Sequence, residues 1–166
     1  MRKVLFIFGQ LTDADVAWLA KSGRRKRVAK GTVLIQQGVA VQSLYIVLEG
    51  ELSVLHGRTK TELARLGSGE VAGEMSFVDS RPPSATVVAH SDAVVFHIPT
   101  KVLGDALTTT PAFAARFYKA VATFLSDRLR KATEPDYGDE LDESVLDNIE
   151  RAGARFGSLS REAQEG

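Results

Sequence analysis

The sequence predicts a mainly β fold with flanking helices: an antiparallel jelly-roll β-barrel with an N-terminal helix before it and C-terminal helices after it. Two observations carry this expectation. From Arg27 to Ile98 apolar residues recur at every second position, in short runs broken by turn residues, and the connections are too short for the helical crossovers that parallel strands require. Outside that region, before Gly23 and after Pro99, the apolar period becomes helical.

The first helix opens at Thr12-Asp13-Ala14-Asp15. Thr12 can cap it and Asp15 stands where a side chain reaches back to the cap, while Val16, Leu19 and Ala20 form one apolar face and Gly23 stops the run. The alternating segments are Val33/Ile35, Leu44/Ile46/Leu48, Leu52/Val54, Thr86/Val88 and Val94/Phe96/Ile98. Gly31, Gly38, Gly50, His56-Gly57, Gly67-Ser68-Gly69, Arg81-Pro82-Pro83 and His90-Ser91-Asp92 punctuate them.

After Pro99, Lys101 to Leu107 reads as a short helix, and Pro111 begins a longer one reaching about Lys131, with Phe113, Phe117, Val121, Phe124 and Leu125 on one stripe. A further amphipathic helix is expected from Leu141, Val145, Ile149, Ala152 and Phe156, and the polar residues from Ser158 to Gly166 are expected to fray. These signals divide the chain into an N-terminal segment and helix over 1–24, a β-barrel with its C-terminal helices over 25–131, and an acidic tail over 132–166.

At 166 residues, 44% of them hydrophobic and 25% charged, the chain is long enough for one buried core. It contains no cysteine, so neither a disulfide framework nor a thiolate metal site can be built, and a cytoplasmic location is expected. The apolar run Val4 to Phe8 is too short for a secretory leader, and no segment approaches a membrane span. The net charge of zero conceals a division: residues 1–131 hold 18 Lys+Arg against 11 Asp+Glu, and residues 132–166 hold 3 against 10. The basic cluster Arg24, Arg25, Lys26, Arg27 and Lys30 reads as a solvated edge-strand face or as a docking surface for the acidic tail, in preference to a nucleic-acid or lipid contact.

Catalysis has no visible carrier. His90-Ser91-Asp92 holds three triad residue types, but neighbours in a turn cannot bridge one another as acyl transfer requires, and neither a nucleophile elbow nor a P-loop occurs. His56, His90 and His97 are the only histidines and do not suggest a metal site. A binding module, not an enzyme, is therefore expected.

The segment Gly69 to Ala89, GEVAGEMSFVDSRPPSATVVA, sets Gly73-Glu74 before a brief apolar turn and a loop returning into a strand. Gly73 would let the backbone pass close to a ligand, a one- or two-turn helix starting near Met75 would aim free N–H groups at a phosphate, and Glu74 suits a ribose hydroxyl. With Lys30-Gly31, Gly38 and the run Leu44 to Val54, this segment resembles the cyclic nucleotide-binding domains, over roughly residues 12–131. The resemblance implies that Gly73, Met75 and Ser76 lie along the phosphate and sugar, that Glu74 takes the 2′-hydroxyl, that Ser84 offers its hydroxyl to the phosphate, and that Ala85 supplies a backbone group. The ligand implied is cyclic AMP, cyclic GMP or another small anion, with no other cofactor. Where the family places the arginine that pairs with the cyclic phosphate, this chain has Pro83, with neither charge nor N–H. A charge-assisted contact of that kind is worth about 1.5–3 kcal/mol, so its absence weakens binding about tenfold to a hundredfold. Arg81 is the nearest cation and joins the candidate set, although the two prolines favour a threefold backbone repeat that turns it off the face of position 83.

The leading expectation is a stand-alone regulatory module that signals through its C-terminal helices. Its alternative is a degenerate domain that binds no ligand and serves in dimerisation or protein interaction. The resemblance also implies a homodimer through the helix over 111–131, and the acidic tail could engage a protein partner. The tail is too short for a helix-turn-helix domain and repelled by DNA, so a DNA-binding regulator ranks last.

Overall fold

A computed structural model describes residues 8–134 and 143–165. Helix α1 spans Asp13–Ser22, and the expected capping box is present: Thr12 Oγ1 accepts from the Asp15 N–H at 3.1 Å and Asp15 Oδ2 accepts from the Thr12 N–H at 2.8 Å. Eight strands follow, β1 Arg24–Val28, β2 Val33–Ile35, β3 Ser43–Glu49, β4 Leu52–Leu55, β5 Glu62–Leu66, β6 Val71–Ala72, β7 Thr86–Ala89 and β8 Ala93–Pro99, with helix α2, Glu74–Asp79, between β6 and β7. Helices α3 (Thr100–Thr109), α4 (Pro111–Thr133) and α5 (Glu143–Glu162) complete the chain.

The strands form two antiparallel four-stranded sheets, ordered β1-β8-β3-β6 and β2-β7-β4-β5. The architecture is thus the expected jelly roll, made of two facing sheets and not one closed barrel. The central strands of the first sheet, β3 and β8, are buried on both faces. Leu44, Ile46, Leu48, Val94, Phe96 and Ile98 point toward the helices, where Phe113, Phe117, Val121 and Phe124 of α4 cover them; Val47, Ala93 and Val95 point between the sheets, against Leu52, Leu66, Val87 and Ala89. This explains why β3 reads as a nearly continuous apolar run. In β7 the inter-sheet pair is Val87 and Ala89; Thr86 and Val88 take the other face, where the Thr86 hydroxyl is buried because it accepts from the Gln37 N–H at 3.1 Å.

β1 is an edge strand, as the charge pattern suggested, and the described part of the tail docks beside it. The Arg25 N–H donates to the Gln164 carbonyl at 2.7 Å, forming a parallel bridge between Arg25 and Glu165. The tail is held mainly by apolar packing. Ala152 and Leu159 are fully buried, Ala163 is buried, and Phe156 meets Phe8 edge-on with centroids 5.9 Å apart. One of its ion pairs runs opposite to the expected charge sense: tail Arg155 binds body Asp13 at 2.9 Å and also donates to the Phe8 carbonyl at 2.8 Å. The frayed end expected from Ser158 is therefore corrected. Leu159 and Ala163 extend the stripe of Ala152 and Phe156 at helical spacing, and α5 continues to Glu162. Leu141 and the side chains of Val145 and Ile149 lie outside the described residues.

Candidate functional site

The β6–α2 turn depends on one glycine. Gly73 has φ of 91°, in the left-handed region, and a Cβ there would sit 3.1 Å from the Ser43 carbonyl and 3.2 Å from Val41 Cγ1. The reversal it permits sends the chain directly into α2, whose first ladder bond is Phe77 N–H to the Gly73 carbonyl at 3.1 Å. Opposite, the loop before β7 is stitched to the β2–β3 turn, because the Gly38 N–H donates to the Pro83 carbonyl at 2.9 Å.

Between turn and loop lies a cavity of about 500 Å³. All seven candidates border it: Gly73, Glu74, Met75 and Ser76 on one side and Arg81, Ser84 and Ala85 on the other, with Pro82 and Pro83 among the lining. Aliphatic side chains, Ile35, Val54, Leu63, Leu66 and Val87, make its inner wall. One cation and one anion stand at the rim: the Arg81 side chain is 84% exposed and approaches the Asp79 carboxylate only to 4.0 Å.

Sequence reading missed the fourth charged residue that borders the cavity, Arg128 of α4. Its Nη1 donates to Glu74 Oε1 at 2.7 Å, and its guanidinium lies 5.3 Å over the Phe124 ring. The two partners are 54 positions apart, so only packing of α4 across the β6–α2 turn brings them together. Glu74 is 4% exposed, and its inner side borders a small void of about 20 Å³ lined by apolar side chains including Val71, Phe117 and Phe124. Burial pushes the Glu74 carboxyl above its ordinary value, and its own backbone N–H and Arg128 offset this only in part.

The histidines stay apart from this site. His90 Nδ1 lies 3.2 Å from Ser53 Oγ, but that buried hydroxyl also bonds Glu62 at 2.9 Å, so the trio joins the β4–β5 pair to the end of β7. Among the described residues no three His, Asp or Glu side chains are placed to hold a metal ion, and no helix is long and apolar enough to cross a membrane.

A helix-covered jelly roll with a glycine-turned short helix at the mouth of an inter-sheet cavity defines a ligand-binding regulatory class of domain. Residues 25–110 match the model of the cyclic nucleotide-binding domain, and the chain belongs to that family, a regulatory and non-catalytic module. It is 26% identical over 114 residues to a cAMP-dependent protein kinase regulatory subunit of Mucor circinelloides, an alignment covering 69% of this chain and 26% of that protein. It is 30% identical over 130 residues to the cyclic AMP receptor protein of Thermus thermophilus, covering 76% of this chain and 58% of the relative. A solved cyclic nucleotide-binding domain from Methylobacillus flagellatus superposes with a TM-score of 0.68 at 23% identity, over 80% of this chain and 76% of that one. The chain thus spans about a quarter of the kinase subunit and a little over half of the receptor protein.

Proposed function

We propose that this chain is a regulatory module in which a small phosphate-bearing or otherwise anionic ligand, cyclic AMP and cyclic GMP among the candidates, occupies the inter-sheet cavity and biases the position of α3 and α4. The supporting observation is that a family-matched domain brings the Gly73–Ser76 turn and the Ser84–Ala85 strand start to opposite sides of one cavity of about 500 Å³. In this reading Gly73 lets the backbone approach the ligand, Glu74 accepts a sugar hydroxyl, Met75 and Ser76 flank the phosphate, and Ser84 and Ala85 contact it from the far wall. The working unit is residues 25–131, with 1–24 and 132–166 as flanking segments in the cytoplasm. Arg128 gives the mechanical link: it touches Glu74 from α4, so a guest that engages Glu74 alters what holds that helix. A ligand shifts such an equilibrium only through unequal affinity for its two states.

Isothermal titration and thermal melting with cyclic AMP, cyclic GMP and cyclic dinucleotides test this. Heat and a raised melting temperature, both lost in Glu74→Ala, sustain it; no heat and no shift at millimolar ligand remove it.

A second reading, an interaction module without a ligand, is favoured by the outer face of α4. Ala115, Tyr118, Ala122 and Leu129 are exposed there at alternating three- and four-residue spacing around half-buried Leu125, a seam suited to a homodimer. In this reading Leu129→Glu lowers the mass measured by light scattering, whereas Glu74→Ala leaves every property unchanged.

A further inference from the structure

Of the cations that border the cavity, Arg81 and Arg128 stand in opposite settings. Arg81 follows α2 on the proline loop, 84% exposed, with Asp79 4.0 Å away, so water screens it and a neighbouring carboxylate opposes any anion that approaches. Beside it, Pro82 and Pro83 offer no N–H, and the Pro83 carbonyl is already bonded to Gly38. Arg128 is more than half covered and is steered by Glu74 through Nη1 and by the Phe124 ring. Among the described residues no protein acceptor takes its Nε or Nη2 donors. A guanidinium is a fork, and one arm resting on a carboxylate leaves the other to bind a second acceptor.

We propose that Arg128 is the anion-reading residue of this cavity, so that the ligand's charge is paired by the cation of α4 and not by Arg81 of the proline loop. The rest of the guest then faces Ile35, Val54, Leu63, Leu66 and Val87, which are apolar without exception. The ligand class that fits is a small phosphate or carboxylate anion carrying an apolar or aromatic body. Glu74 is a positioning residue in this arrangement, fixing the plane of the guanidinium. The inference rests on the reading of the cavity as a ligand site and names the cation and ligand class of that site.

Calorimetric titration of the full chain with phenyl phosphate, benzoate, inorganic phosphate and cyclic AMP tests it, with circular dichroism melts to show that each variant folds. Uptake of phenyl phosphate but not benzoate assigns a phosphate guest, and the reverse assigns a carboxylate. The better of the two should bind at least about tenfold more tightly than inorganic phosphate. Arg128→Gln should weaken it at least about tenfold and Arg128→Lys about threefold, while Arg81→Gln changes it less than about threefold. Arg130→Gln, an exposed cation of the same helix outside the cavity, should have no effect. A tenfold loss in Arg81→Gln, whether alone or matched by Arg128→Gln, overturns the assignment to Arg128 and leaves the ligand site standing. Equal binding of inorganic phosphate overturns the apolar-body requirement. Failure of wild-type protein to take up any of the four probes at millimolar concentration removes the ligand site itself, and Arg128's role with it.

Discussion

Helix α4 reaches two buried carboxylates, one from each half, and it holds them differently. Near its start Arg116 grips Asp15 with both arms, Nε to Oδ2 at 2.7 Å and Nη2 to Oδ1 at 2.9 Å, while the Thr12 N–H adds a third donor to the same carboxylate. Near its end Arg128 touches Glu74 through Nη1 alone. Burial pushes both carboxyls up, but at Asp15 the hydrogen bonds from Arg116 and Thr12 outweigh it and hold the group below its ordinary value; at Glu74 burial wins. A carboxylate with a full set of donors is a fixed joint between α1 and α4. One held by a single side-chain donor besides its own N–H, in an apolar surround, yields more readily to a hydroxyl that offers it a new hydrogen bond.

Removing the first pair should have the largest effect. Asp15→Ala deletes a bidentate partner and one half of the capping box together, and should lower the unfolding free energy in urea by about 2–3 kcal/mol, below the about 3–5 kcal/mol of a fully buried pair because Arg116 is about a third exposed. Acid should separate the pairs by sign. The lowered Asp15 pKa contributes stability that is present above its unfolded value and is lost as pH falls through its folded one. Melting temperatures followed from about pH 5 to about pH 2 should therefore fall less steeply in Asp15→Asn than in wild type. Glu74 acts oppositely, since the folded state holds its proton to higher pH than the unfolded chain and protonation there favours folding. Glu74→Gln should accordingly shift the unfolding free energy by less than about 1 kcal/mol, either way. If Glu74→Gln costs as much as Asp15→Ala, the contrast between the two joints is wrong. Asp13→Ala should do least, under about 0.5 kcal/mol, because Asp13 is 91% exposed and Arg155 keeps its bond to the Phe8 carbonyl.

What the sequence discloses follows from how local each signal is. The Thr12–Asp15 box spans four residues, the strands announce themselves by alternation, and Gly73-Glu74 followed by an apolar turn marks the cavity's rim in the bare sequence. Two of the misses are pairings at a distance. Asp15 and Arg116 are 101 positions apart and Glu74 and Arg128 are 54, and nothing in the spacing of either pair points across such a gap. The tail shows a different failure. Leu159 and Ala163 continue a helical stripe, but they stand among serine, glycine and charged residues, so local composition masks the periodicity that packing against α1 and Phe8 enforces. Likewise, the two-sided burial of β3 depends on α4 lying over it, which alternation within the strand cannot show.

The bond between the Gly38 amide and the Pro83 carbonyl, with two pyrrolidine rings in sequence, makes the β7 side of the cavity a stiff jamb. Whatever adjustment the cavity makes is therefore left to its opposite flank, where Arg128 of α4 and the Gly73 turn face the jamb.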